Sequence, residues 1–164
     1  MISAAALLLL ASAAIAGDGI RLEFDADMRS RVVMTQGRED ALGPFTESEV
    51  LLTADGEVGG FQLQDTVTAS VTDTLGAGER TTLTGHSRTL VKQVEVTRYA
   101  AHPQWLFVRV RYRNGGTTPI EMAGYASHRY EMTPAAVIGV VHAEKIGAPI
   151  PGLERQHPVR ARFV

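Results

Sequence analysis

Leu90 to Tyr99 reads LVKQVEVTRY, and Trp105 to Arg113 reads WLFVRVRYR. In both stretches the side chains alternate with a period of two, the signature of a β-strand with unlike faces. Leu90, Val94 and Val96 share one face with Lys92. In the second stretch Leu106, Val108, Val110 and Tyr112 share one face, and Arg109, Arg111 and Arg113 share the other. A slip of one residue would turn the arginines into the core, where unpaired charge is costly, so the register is specified strongly. The short Ala100-Ala101-His102-Pro103 segment joins the two strands. Asn114-Gly115 closes the second one with two residues that tolerate positive φ.

The same pattern extends in both directions. Ile20 to Phe24 alternates, Asp25-Ala26-Asp27 breaks it, and Arg31 to Met34 resumes. Glu49 to Leu52 is short and apolar, and Asp55-Gly56 turns the chain. Phe61 to Leu63 and Val67 to Thr72 follow, the latter rich in β-branched residues, and Thr81 to Thr84 reads as another strand. Ile120 to Met122 and Tyr125 to Met132 are the last strand signals. No helical periodicity precedes Pro134. Short strands with turn signals roughly every 8–12 residues predict an all-β, antiparallel β-sandwich over residues 17–133. From Pro134 to Val164 alternation is lost among Pro134, Pro149, Pro151 and Pro158, and an irregular C-terminal segment is expected.

The first residues, MISAAALLLLASAAIA, form an apolar run ending in Ala14-Ile15-Ala16. Small residues at the two flanking positions suit a signal peptidase, and the run is shorter than the ~20 residues that span a bilayer. Residues 1–16 are therefore read as a signal peptide, with a secreted or periplasmic product and no membrane span. The sequence has no cysteine, which excludes disulfides and thiolate chemistry. The net charge is −2 with both signs interspersed, so the basic stripe of a nucleic-acid binder is missing.

Candidate chemistry is sparse. The five histidines, His86, His102, His128, His142 and His157, lack the close spacing of a metal pair. Asp25-Ala26-Asp27 begins like a calcium loop but lacks its glycine and closing glutamate, and reads as a turn. Gly76-Ala77-Gly78 precedes a strand where a phosphate cradle needs a helix, and reads as a tight loop. His86 and Ser87 are adjacent on a strand, so they point to opposite faces. No catalytic residue, metal ligand or cofactor site emerges, and no cofactor is implied. The Arg109, Arg111, Arg113 column reads as a solvated face, with Glu95 as a cross-strand partner, although such a column also has the chemistry to grip anions. Trp105 and Tyr99, flanking His102-Pro103, are the candidate sugar-stacking residues.

An ordered series of segments carries a family resemblance. Phe24-Asp25 precedes Met28-Arg29-Ser30-Arg31-Val32, and Leu42-Gly43-Pro44-Phe45 leads to Ser48-Glu49. Phe61 opens a segment reaching Asp73 and Gly76-Ala77-Gly78, and Leu83-Thr84-Gly85 follows. Lys92, Val94 and Val96 lead to Tyr99 and Pro103, then Val110-Arg111-Tyr112-Arg113-Asn114 and Pro119-Ile120. From Ile20 to Met132 this series resembles the N-terminal β-domain of α-galactosidase-like glycoside hydrolases, family-thirty-six type. The resemblance implies a large, supersandwich-like fold that packs on a catalytic (β/α) barrel, with carbohydrate as a further partner. A barrel needs about 250 residues, and its two catalytic carboxylates have no counterpart in this chain. After Met132 the chain departs from the family: Thr133 to Val141 stands where an aromatic-rich lead into the barrel is expected. A truncated product, a shifted reading frame and a standalone domain all fit that departure.

The first expectation is thus a non-catalytic accessory domain of an exported glycosidase, a fragment without its barrel. The rival is a freestanding carbohydrate-binding or adhesion module. A small hydrolase ranks third, because no nucleophile–base pair is visible. N-terminal sequencing of exported protein is expected to read Gly-Asp-Gly-Ile, beginning at Gly17. An intact Met1 on unexported protein contradicts the leader reading.

Overall fold

A computed structural model describes residues 12–37, 39–131 and 133, and the backbone of 141–145 and 159–163. These residues hold thirteen strands and no helix: β1 (Ala13–Ala16), β2 (Ile20–Phe24), β3 (Ser30–Met34), β4 (Asp40–Ala41), β5 (Val50–Thr53), β6 (Gly56–Val58), β7 (Gln62–Asp73), β8 (Gly76–Ser87), β9 (Leu90–Tyr99), β10 (Phe107–Asn114), β11 (Met122–Ala126), β12 (Val141–Lys145) and β13 (Val159–Phe163). Every pairing is antiparallel. Strands β1-β2-β3-β4 form one sheet, β10-β9-β8-β7 a second and β11-β5-β6 a third, while β12 and β13 pair with each other.

The three larger sheets close on one apolar core, and the chain is a β-sandwich. Leu22 and Phe24 of β2 and Val32 of β3 meet Leu83 of β8 and Leu90, Val94 and Val96 of β9, with Leu51 of β5 and the loop residues Met28 and Phe61. The period of two explains which residues these are. Val96 lies opposite Val108 and Val94 opposite Val110 on the core side, while Glu95 lies opposite Arg109 on the other. Strands β9 and β10 thus carry the two faces their sequences specify.

Local chemistry sets the breaks between strands. Met28 donates its N–H to the Asp25 carbonyl at 3.0 Å. Asp25 Oδ1 accepts the backbone N–H of Asp27 at 2.9 Å and of Arg29 at 3.0 Å. An aspartate that engages its own backbone in this way makes a turn, and its oxygens are committed to the chain. Phe61-Gln62-Leu63 and Val67 to Thr72, read as separate, belong largely to the single strand β7, irregular between Leu63 and Asp65. Gly76, at φ +102°, completes the turn from β7 to β8. The Gly76-Ala77-Gly78 segment is therefore the opening of a strand, and the tight loop sits one step earlier.

Other boundaries move. The strand expected from Tyr125 to Met132 ends at Ala126, because His128 adopts φ +56° and breaks the extended backbone; Met132 lies outside the described residues. Strand β1 falls within the expected leader. Ala13 and Ile15 pack against the core, so cleavage after Ala16 would remove β1 and open the β2 edge. The β12–β13 ladder lies in the segment expected to be irregular; residues 134–140 and 146–158 lie outside the described residues.

Val94 is fully buried. Val94→Ala is expected to destabilise the fold by about 1–3 kcal/mol, from lost burial and a residual cavity. Arg113→Ala, on the exposed end of the arginine column, is expected to stay within about 0.5 kcal/mol. Urea unfolding checks both, and equal losses would contradict the assignment of faces.

Candidate functional site

Two polar assemblies occupy this scaffold, one on each side of the β7–β10 sheet. The outer assembly grows from the alternation of β9 and β10. Glu95 is nearly buried beneath two arginines: Arg111 Nη1 lies 2.9 Å from Glu95 Oε1, and Arg109 Nη1 4.0 Å from Oε2. The arginine side chains remain 53% and 64% exposed, against 9% for Glu95. Farther along the face, Arg80 donates Nε–H to Thr97 Oγ1 at 3.0 Å, and Tyr99 donates its hydroxyl to Asp73 Oδ2 at 2.5 Å. That bond, joined by the Leu75 N–H and the charges of Arg80 and Arg109, outweighs desolvation and holds Asp73 below the usual carboxylate range. The same bond pushes the Tyr99 hydroxyl up.

This geometry corrects half of the sugar-stacking expectation. Tyr99 is only 4% exposed, and its ring meets Phe107 edge-on at 5.2 Å. Gly78 lies opposite it, and a Cβ there would press on the Tyr99 ring and the Arg98 carbonyl. Tyr99 is packed into the face and has no ring surface to offer a sugar. Trp105 is half-open, at 38% exposed, in the turn before β10. Phe107 is the aromatic the sequence reading missed. It shares the parity of Arg109 and Arg111, and it is half-exposed beside His102.

The remaining candidates resolve simply. Ser87 donates its hydroxyl to the Gly59 carbonyl at 2.9 Å, which ties it to the backbone. His86 pairs across the ladder with Val91. His142 lies in β12, where only the backbone is described, and His157 lies outside the described residues. Among the described residues no three His, Asp or Glu side chains gather to hold a metal, and no helix is long and apolar enough to cross a membrane.

The inner assembly was not foreseen from sequence. Glu49, just before β5, is buried. Its carbonyl accepts Lys92 Nζ–H at 2.9 Å and the Tyr112 hydroxyl at 2.8 Å, both from the core side of the large sheet. Its carboxylate accepts the Tyr125 hydroxyl, the His128 N–H at 3.0 Å and the Ser127 hydroxyl at 3.3 Å. Burial pushes the Lys92 ammonium down, against the opposing pull of Glu49 and Glu47. Burial likewise raises Tyr112 and Tyr125 well above the usual tyrosine range, with the Glu49 charge adding. Ser127, His128 and Glu49 resemble a catalytic triad in composition only. Ser127 Oγ lies 2.5 Å from His128 Nδ1, and Glu49 Oε1 lies 3.7 Å from the same nitrogen. A proton relay needs serine and carboxylate on opposite ring nitrogens, so this cluster fastens the chain and does not activate Ser127.

Fold and faces together define an antiparallel β-sandwich with a buried polar joint on one side of its large sheet and an arginine-bearing surface on the other. The chain matches no protein-family model and no curated protein.

Glu49→Ala leaves the Tyr125 and Ser127 hydroxyls and the His128 N–H without their acceptor and removes the carboxylate near Lys92, and is expected to cost about 3–5 kcal/mol. Tyr125→Phe removes one of these bonds and is expected to cost about 1–3 kcal/mol. Urea midpoints rank the two, and a neutral Glu49→Ala would dismiss the joint.

Proposed function

We propose that this chain is a non-catalytic accessory β-sandwich domain of an exported α-galactosidase-like glycosidase, working against a catalytic (β/α) barrel. The observation that carries the reading is an apolar margin left open among the described residues. The inward row of β10, Val108, Val110 and Tyr112, is only partly buried. Met122 of β11, the strand whose Tyr125 ring meets Tyr112, is 65% exposed. Monomeric proteins seldom leave large contiguous apolar surface in water, and a docked domain would cover such a margin. The ordered series of residues from Ile20 to Met132, which resembles the N-terminal domain of such enzymes, supports this reading.

The carboxylates support an accessory role. Retaining glycoside hydrolysis needs two carboxyl groups ~5 Å apart, one able to give up a proton near neutral pH. Glu49 is occupied by the hydroxyl and amide donors around it. Glu23 is raised by burial but lowered further by hydrogen bonds from Arg31 and Arg21, and ends below the ordinary range. Asp73 is lowered as well. Carboxylates held as anions in the way of Glu23 and Asp73 are poor general acids.

A freestanding carbohydrate-binding module is the second reading, favoured by the half-open rings of Trp105 and Phe107. An assay on aryl α-galactosides separates these from an enzyme: purified chain is expected to show no turnover. Addition of a separately produced barrel domain is expected to give a complex in analytical ultracentrifugation. Turnover that survives repurification and vanishes in Glu49→Gln would overturn the accessory reading, and absence of any complex would favour the freestanding module.

A further inference from the structure

We propose that the outer face of strands β8–β10 is a binding track for an anionic polysaccharide. The first observation is a local charge imbalance. Arg109 and Arg111 share the carboxylate of Glu95, the other carboxylate near them, Asp73, is engaged by Tyr99 and Arg80, and Arg113 extends the same column at an exposed position. Residues two apart on a strand repeat every ~6.6 Å, so the column presents guanidinium groups over about 13 Å. The second observation is preorganisation. Glu95 lies beneath the arginines and holds them from below, so part of the ordering that a ligand would otherwise impose is already in place. A guanidinium presents donors in a planar fork that matches carboxylate and sulfate oxygens, and partial use of that fork by Glu95 leaves donors for a second anion.

The third observation selects a saccharide. Phe107 heads the same row as Arg109 and Arg111, half-exposed and braced by Tyr99 and His102. An aromatic ring beside hydrogen-bonding groups suits the apolar face of a sugar. Gln93, opposite Arg111, and Thr82, opposite Glu95, add neutral groups for hydroxyls. An acidic peptide fits less well. Extended peptides gain affinity by adding to a sheet edge through main-chain hydrogen bonds, and this row lies on a sheet face. The inference is independent of the barrel partner, because a freestanding module and an accessory domain can both carry it.

The test measures binding of the full chain to four probes at low ionic strength by calorimetry: oligogalacturonate, a sulfated galacto-oligosaccharide, a neutral galacto-oligosaccharide and poly-glutamate. Oligogalacturonate or the sulfated sugar is expected to bind at least tenfold more tightly than the neutral sugar and poly-glutamate, and to weaken as salt rises. Arg109→Ala/Arg111→Ala is expected to cut that affinity at least tenfold. Because this variant also strips Glu95 of its partners, Arg113→Glu serves as a second one. It reverses a charge that makes no ion pair among the described residues, and is expected to cost several-fold. Phe107→Ala is expected to weaken the sugar several-fold and leave any poly-glutamate binding unchanged. Failure of both anionic sugars to bind would overturn the proposal. So would full affinity in Arg113→Glu, or poly-glutamate binding as tightly as the sugars.

Discussion

A lysine on the core face of a strand must bring an oxygen into the core with it. Lys92 sits in the row of Leu90, Val94 and Val96, where the ammonium loses most of its water. The Glu49 carbonyl at 2.9 Å answers that demand, and the Phe61 ring lies 5.6 Å from Nζ. Satisfying Lys92 therefore brings the start of β5 against the inner face of the large sheet. The Glu49 carboxylate then gathers Tyr125, Ser127 and His128 from β11 and the chain beyond it. Neighbouring hydroxyls extend the joint: Ser30 and Ser48 lie 2.5 Å apart, and Tyr130 lies 3.3 Å from Ser30. Apolar burial supplies the drive to collapse, but it is non-directional. These directional bonds specify how the sheets sit on one another, since each buried donor has few places to go.

The two sides of the large sheet separate two roles. On the inside, Glu49, Lys92, Ser30 and Ser48 are buried and engaged, and they tie the sheets together. On the outside, Glu95 and Asp73 are engaged from within the sheet, while the arginines above Glu95 stay in water. Groups that are ordered yet solvated are the ones free to meet a partner. The apolar row of Val108, Val110 and Tyr112 lies on the other face of the same strand, apart from that surface.

Strand pairing was legible in the sequence wherever one face is wet and the other dry. Leu90–Tyr99 matches β9 residue for residue, and Glu95, expected as a cross-strand partner of the arginine column, lies opposite Arg109. Legibility failed where the backbone departs from period two. The irregularity near Leu63 made one strand read as two, and the positive φ of His128 ended a strand that composition continued. Tyr99 misled for a different reason. A tyrosine at a strand end reads as rim, but Gly78 opposite leaves room for the ring to lie flat in the face. The Glu49 joint depends on contacts between segments more than forty residues apart. No spacing rule reports such contacts. The one local signal was Lys92 itself, a charge in an apolar row that implied a buried acceptor without naming it.

The claim that this joint closes the sandwich is tested most directly at one amide. The His128 N–H lies outside any strand, on an exposed residue, and is bonded to Glu49 Oε1 at 3.0 Å. Native-state hydrogen exchange followed by NMR reads its opening free energy beside those of the core strands. If Glu49 holds the sheets together, the His128 amide exchanges only with global unfolding, together with Val94 and Val96. Exchange as fast as that of the exposed β7 edge would show that the cluster opens freely, and would contradict the account.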